Sequence, residues 1–182
     1  MNKQTAMTVK RYHAALVALH WLLALLMVVE LGLGSTFLKH TPNDMPEKLL
    51  ALRNHMAAGN LILILTLIRL AVRLKTAHPP PAYGTRVAWN QLTAAGHYAL
   101  YLLPVLAAVS GLALAVQTDL PQVVFKGIGH LPADFSGHAA RAAHGLLAKL
   151  LIVLIAGHAL AALYHQFVRK DGLLRRMGFK QG

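Results

Sequence analysis

The sequence predicts an all-α protein, a membrane four-helix bundle that forms one domain over residues 1–182 and has both termini in the cytoplasm. Three observations support this prediction: the composition, four long apolar runs and the distribution of basic residues. Of the 182 residues, 56% are hydrophobic and 13% are charged, and the mean hydropathy is +0.50. Soluble domains carry about 25% charged residues, so we expect this chain to lie in a lipid bilayer.

The four apolar runs are each long enough to cross the ~30 Å hydrocarbon core of a bilayer as a helix. The first run is not expected to be a cleaved signal peptide, because it is longer than a signal h-region and no A-x-A pattern follows it. The predicted spans cover about residues 14–37, 55–74, 89–116 and 143–167, and the predicted loops cover 38–54, 75–86 and 117–142.

Lysine and arginine are distributed unevenly between the two sides that four spans define. Of the 18 basic residues, twelve fall on the side of the termini and six on the other. Basic residues accumulate on the cytoplasmic side, so a bacterial protein of this kind is expected in the inner membrane with its odd-numbered loops facing the periplasm. This topology accounts for the net charge of +12, and no nucleic-acid partner is expected. The twelve are Lys3, Lys10, Arg11, Arg69, Arg73, Lys75, Arg86, Arg169, Lys170, Arg175, Arg176 and Lys180, and the six are Lys39, Lys48, Arg53, Lys126, Arg141 and Lys149.

Two histidines lie fourteen residues apart in the last apolar run, at His144 and His158. Fourteen residues turn a helix to within about 40° of four full turns and advance it by ~21 Å. Both side chains therefore leave nearly the same face at two depths of the membrane. The alternative is a pair of core histidines that each satisfy a hydrogen bond.

Two further histidines match these depths. His20 lies near the cytoplasmic end of the first span, and His55 opens the second span at the opposite end. The topology therefore pairs His20 with His158 at an inner level and His55 with His144 at an outer level. Each pair draws on two helices, as bis-histidine ligation of a haem requires. The chain has no cysteine, which excludes thiolate-held haem and covalent attachment through C-x-x-C-H.

Four arginines near these levels are candidate partners for haem propionates. Arg69 and Arg73 follow His55 by fourteen and eighteen residues, which keeps both on nearly the face of His55 at the inner level. Arg53 and Arg141 lie two and three residues before His55 and His144, at the outer level. The alternative for all four is snorkelling or loop charge.

These residues resemble the bacterial cytochrome b561 family. The resemblance rests on LHW at 19–21, NHMAAG at 54–59 and the arginine and histidine spacings, and it extends over nearly the whole chain. It implies a four-helix membrane protein with two haem b groups that moves electrons between quinone and a partner. The family is also associated with superoxide oxidation and ubiquinone reduction. The ligands that it implies are the same four: His20, His55, His144 and His158.

A quinone site is expected near the inner haem, because protonatable side chains gather at that rim. His165 continues the stripe of His158 toward the cytoplasmic surface and is the first candidate for a quinone contact. His97, near the start of the third span, is the second. Either could bond a propionate instead, or do neither.

Two charged residues, Glu30 and Lys149, fall inside the spans at matching depth. An ion pair between the first and fourth spans is possible, and snorkelling of Lys149 is an equal alternative. We assign neither residue a redox role.

Two rival functions compete with electron transfer through two haems. An intramembrane metal transporter is disfavoured, because metal sites usually cluster their ligands with carboxylate help, and here the histidines split into two levels. A cytochrome subunit that anchors a larger oxidoreductase or hydrogenase stays open. The electron donor is also open. Steering of superoxide by net charge is expected to be weak, because the outer loops hold five basic residues against four acidic ones.

Overall fold

A computed structural model describes residues 11–178 of the chain, and in that range the protein is helical with no strand. Four helices are long and apolar enough to cross a membrane. Large apolar side chains such as Leu25, Val153 and Leu160 are exposed along them, as expected for surfaces that contact lipid. The prediction of an all-α protein with four spans is confirmed. The helices are α1 (Ala14–Leu33), α2 (Pro46–Lys75), α3 (Val87–Gln117), α4 (Leu120–Lys126) and α5 (Ala139–Tyr164).

Two predicted loops were wrong in extent. The loop at 38–54 ends earlier, because α2 begins at Pro46 rather than near His55. Proline is favoured in the first turn of a helix, where its missing N–H costs nothing, and Glu47 complements the helix dipole there. The loop at 117–142 contains the short helix α4 and the first residues of α5. His55 therefore lies well inside α2 instead of opening it.

The spans α1 and α5 both end in a π-helical turn, at Gly34–Leu38 and His165–Arg169. Such turns are rare and often lie at functional sites. The second one carries His165, the residue that we expected to contact quinone.

The helices do not all pack equally closely. Close packing joins α1 to α2, α2 to α3 and α3 to α5, whereas α5 approaches α1 and α2 only sparsely. Between them lies one buried apolar cluster formed by Leu23, Met27, Ile62 and Leu151. Leu151 is seven residues from His144 and seven from His158, so this cluster separates the two histidine levels.

One end of the bundle, which we call the outer end, is covered by α4. Leu120 and Val124 of α4 pack on Leu52 and Ala115 of the long helices. Arg53 of α2 holds α4 in this position by two hydrogen bonds to the Val124 carbonyl, from Nε at 3.1 Å and from Nη2 at 2.7 Å.

Lys48 is also part of the outer end and is only 5% exposed. Its Nζ donates to the carbonyls of Leu38 and Thr41, the latter at 2.7 Å. It thereby satisfies carbonyls that the end of the first span leaves without a helical partner. Lys48 therefore adds little to the charge of the outer surface.

The opposite, inner end gathers the residues around the start of α1, the loop after α2 and the segment after α5. Trp21 Nε1 donates to the Met177 carbonyl at 2.9 Å, and Arg176 Nη1 donates to the Pro80 carbonyl at 2.7 Å. This meeting is what an even number of spans requires. Which side of the membrane this end faces stays a prediction from the basic residues, of which Lys3, Lys10 and Lys180 lie outside the described residues.

Candidate haem sites

The four histidines meet as two pairs, in the combination that depth and face predict. His20 on α1 faces His158 on α5, with ring centroids 6.1 Å apart and ring planes at 76°. His55 on α2 faces His144 on α5, with centroids 5.9 Å apart and planes at 90°. We call these the inner pair and the outer pair. Each pair spans a gap where the helices pack sparsely.

The spacing of both pairs suits two imidazoles on opposite sides of one metal ion. A metal–imidazole bond is about 2 Å long, and each ring centroid lies roughly 1 Å behind its nitrogen, which sets the two centroids roughly 6 Å apart. Both pairs come close to this separation. The residues present therefore fit a bis-histidine haem at each level.

The outer pair has a hydrogen-bond partner on Nδ1 of each ring. His55 Nδ1 lies 2.7 Å from Glu30 Oε2, and His144 Nδ1 lies 2.8 Å from the Ala107 carbonyl and 3.2 Å from Ser110 Oγ. A ligating histidine typically donates its second ring N–H to such an acceptor, which fixes the tautomer and the ring orientation. In both residues this leaves Nε2 as the nitrogen for a metal.

A glycine on α3 makes room for the His144 ring. A Cβ at Gly111 would lie 3.2 Å from His144 Cε1 and 3.3 Å from Nδ1. Sequence reasoning missed both Gly111 and Ser110, because only the crossing of α3 and α5 brings them to His144. Their position one turn beyond Ala107 gives no sequence signal of its own.

The inner level contains two buried polar atoms without a hydrogen-bond partner among the described residues. These atoms are Thr66 Oγ1 and Arg69 Nε. Arg69 uses Nη1 to donate to the Tyr101 hydroxyl, and Thr66 is 2% exposed. Thr66 follows His55 by eleven residues, which places its side chain within about 20° of the helix face that carries His55. Buried polar groups are normally paired, so this pair of atoms fits a ligand that brings acceptor oxygens, such as a haem propionate.

The other arginine candidates have different surroundings. Arg73 lies 6.0 Å from the centre of the Tyr12 ring. Arg141 lies along α5, with Nη1 3.1 Å from the position that a Cβ of Gly145 would occupy. Arg53 uses two of its guanidinium nitrogens on α4. Of the four predicted propionate partners, Arg69 is the one with a buried nitrogen that has no hydrogen-bond partner among the described residues, and the propionate role of all four stays a prediction.

His97 lies deeper than its predicted position near the start of the third span. It is ten residues beyond Val87, and its ring centroid is 5.6 Å from that of His158. The inner level thus has a third histidine beside the pair.

His165 is 5% exposed and hydrogen-bonded at both ring nitrogens. Nε2 lies 2.9 Å from the Tyr83 hydroxyl, and Nδ1 lies 2.5 Å from Asp171 Oδ2. The hydrogen bond from His165 lowers the pKa of the Asp171 carboxyl below its ordinary value. His165 would have to give up one of these partners to bind a quinone carbonyl.

Within residues 11–178, no group of three or more histidine, cysteine, aspartate or glutamate side chains could hold a metal ion. This finding gives no support to an intramembrane metal transporter.

Long apolar helices with histidines facing each other in pairs are the architecture of a membrane-bound b-type cytochrome. The sequence model of prokaryotic cytochrome b561 matches residues 11–180. The chain therefore belongs to the prokaryotic cytochrome b561 family, as the resemblance in the sequence predicted. It is a multi-pass bacterial membrane protein of electron transfer, and membership of the family implies haem b as its cofactor.

Two curated relatives align along nearly the whole chain. The probable superoxide oxidase CybB of Yersinia pestis is 30% identical over 180 residues, covering 95% of this chain and 99% of the relative. Cytochrome b561 homolog 2 of Escherichia coli (strain K12) is 31% identical over 180 residues, covering 93% of this chain and 92% of the relative.

Proposed function

We propose that this protein is a di-haem b cytochrome of the bacterial inner membrane that carries electrons from a periplasmic donor to ubiquinone. The observation that carries the proposal is that the two α5 histidines, ~21 Å apart along that helix, each face a histidine of another helix. His20 and His158 would hold one haem, and His55 and His144 the other. Bound haem supplies one-electron redox chemistry at each level.

Superoxide is the donor that we propose. Its support is the similarity to the probable superoxide oxidase CybB. Two superoxide ions would each lose one electron to give two molecules of O₂, and one ubiquinone would take up the two electrons and two protons to give ubiquinol. Arg141, close to the outer pair on α5, would attract the anion locally together with Arg53, which stays exposed and charged while it donates to the Val124 carbonyl of α4.

The quinone site is proposed at the inner end, with His97 ahead of His165. His97 has its ring beside the inner pair, and no hydrogen bond engages it among the described residues. Both nitrogens of His165 are bonded to Tyr83 and Asp171, which favours a role in holding this end of the bundle. The ring N–H of a histidine can donate a hydrogen bond to a quinone carbonyl.

The test is quinone reduction by the purified, haem-loaded chain alone in lipid vesicles that contain ubiquinone. We expect superoxide, generated enzymatically outside the vesicles, to drive ubiquinol formation, and superoxide dismutase to stop it. A haem-loaded chain that forms no ubiquinol from superoxide would contradict the proposal. It would favour the alternative of a cytochrome subunit that needs a larger oxidoreductase or hydrogenase complex.

The same assay locates the quinone with matched variants. His97→Ala should slow ubiquinol formation about tenfold, the loss expected for one hydrogen bond of 1–1.5 kcal/mol, while both haem spectra stay unchanged. His78→Ala changes an exposed histidine at the same end of the bundle and should leave the rate unchanged. Unchanged kinetics in both His97→Ala and His165→Ala would place the quinone elsewhere, and loss of haem would assign the residue to the cofactor shell.

A further inference from the structure

Glu30 is the acidic residue that lies deepest within the membrane spans. The other five acidic residues, Asp44, Glu47, Asp119, Asp134 and Asp171, lie in loops, in turns or in the first turn of a helix. The Glu30 side chain is 12% exposed. Placing an acidic group at this depth is costly, and such groups are normally paired and functional.

The partner of Glu30 is His55, and the ion pair with Lys149, one of two alternatives from the sequence, is not made among the described residues. His55 Nδ1 lies 2.7 Å from Glu30 Oε2, and this contact joins α1 to α2. A glutamate carboxylate can only accept, so with Glu30 ionised Nδ1 is the donor. With the hydrogen on Nδ1, a neutral ring has its lone pair on Nε2. The contact therefore holds the ring and leaves Nε2 as the nitrogen that can bind a metal.

The two histidines of the outer pair differ in the charge of their partners. His144 bonds a carbonyl and a hydroxyl, which are neutral, whereas His55 bonds a carboxylic side chain. A carboxylate acceptor increases the electron donation of an imidazole to its metal more than a neutral acceptor does. Stronger donation and a nearby negative charge favour the oxidised metal.

We propose that Glu30 is a positioning residue that lowers the reduction potential of the outer haem through His55. The proposal rests on the proposed function, since it requires His55 to be a haem ligand. It adds a potential-setting residue to the outer site and predicts that only one of the two haems responds to a change at Glu30.

The experiment is a redox titration of the purified, haem-loaded protein, in which visible spectroscopy monitors the reduction of each haem. Glu30→Gln keeps the size of the side chain and an acceptor oxygen but removes the charge, and Glu30→Leu removes the acceptor as well. We expect the midpoint potential of one haem to rise in Glu30→Gln and to rise at least as far in Glu30→Leu. The midpoint potential of the other haem should stay unchanged in both variants. Glu47→Gln makes the same change at an exposed position in the first turn of α2 and should move neither potential.

The haem whose midpoint potential rises should be the haem that is lost in His55→Ala. Two unchanged potentials in a Glu30→Gln protein that retains both haems would overturn the inference and leave the proposed function standing. Loss of one haem in Glu30→Gln would overturn it as well, because Glu30 would then hold the ligand rather than tune it. A wild-type protein without haem would instead overturn the proposed function.

Discussion

Replacing His20 or His158 by alanine is expected to remove one haem, and replacing His55 or His144 is expected to remove the other. The reason is geometric: each pair brings one imidazole from each of two helices to the separation that a shared metal requires. Each variant should lose about half of the bound haem, and the two members of a pair should lose the same spectral and redox component.

Haem content and a reduced-minus-oxidised spectrum on each purified variant provide the measurement. His130→Ala is the matched control, because His130 is an exposed loop residue, and it should retain both haems. Depletion of one common centre in His20→Ala and His144→Ala would contradict the pairing, and with it the assignment of depth.

Gly111→Val is expected to weaken haem binding at the outer site alone. The added side chain would meet the His144 ring at 3.2 Å, and the ring has little freedom to retreat because the Ala107 carbonyl on the same helix holds Nδ1. Overpacking a filled site costs about 1–3 kcal/mol, which corresponds to roughly 5- to 150-fold weaker retention of the group.

The measurement is the rate at which each haem is lost to an excess of an acceptor protein. Gly32→Val introduces the same side chain on α1, where a Cβ meets nothing within 4 Å, and should behave as the wild type. Equal loss rates in Gly111→Val and Gly32→Val would show that the His144 ring does not pack against Gly111 of α3.

The histidine pairs could be predicted from the sequence because helical periodicity and the direction of each span are enough to set them. Fourteen residues on a continuous helix fix the depth and face of His144 relative to His158. The direction of each span then assigns His20 and His55 to a level. Loop structure is not needed for this step, so the error in the start of α2 did not change the pairing.

The partner of Glu30 could not be predicted by the same reasoning. Depth placed Glu30 level with Lys149, but the choice of partner depends on how α1 is rotated against α2. That rotation is set by side-chain packing in the cluster of Leu23, Met27 and Ile62, which a helical period does not describe.

The outer end was the least predictable part of the molecule. The sequence pattern assigns Pro46 and Pro121 to loops, although proline is also favoured in the first turn of a helix, and both lie there. Lys48, which the sequence places with Arg53 among the outer charges, is buried, whereas Arg53 stays exposed. Their use as donors to Val124 and to the end of the first span depends on long-range contacts between elements.

The measurement that tests the central claim most directly is a haem-to-protein ratio on the purified chain, combined with a reduced-minus-oxidised visible spectrum. We expect two haem b groups per chain, both extracted by acidified organic solvent, because no cysteine exists to hold them covalently. A ratio of zero or one, or a bound metal other than iron, would contradict the account of two histidine pairs that each hold a haem.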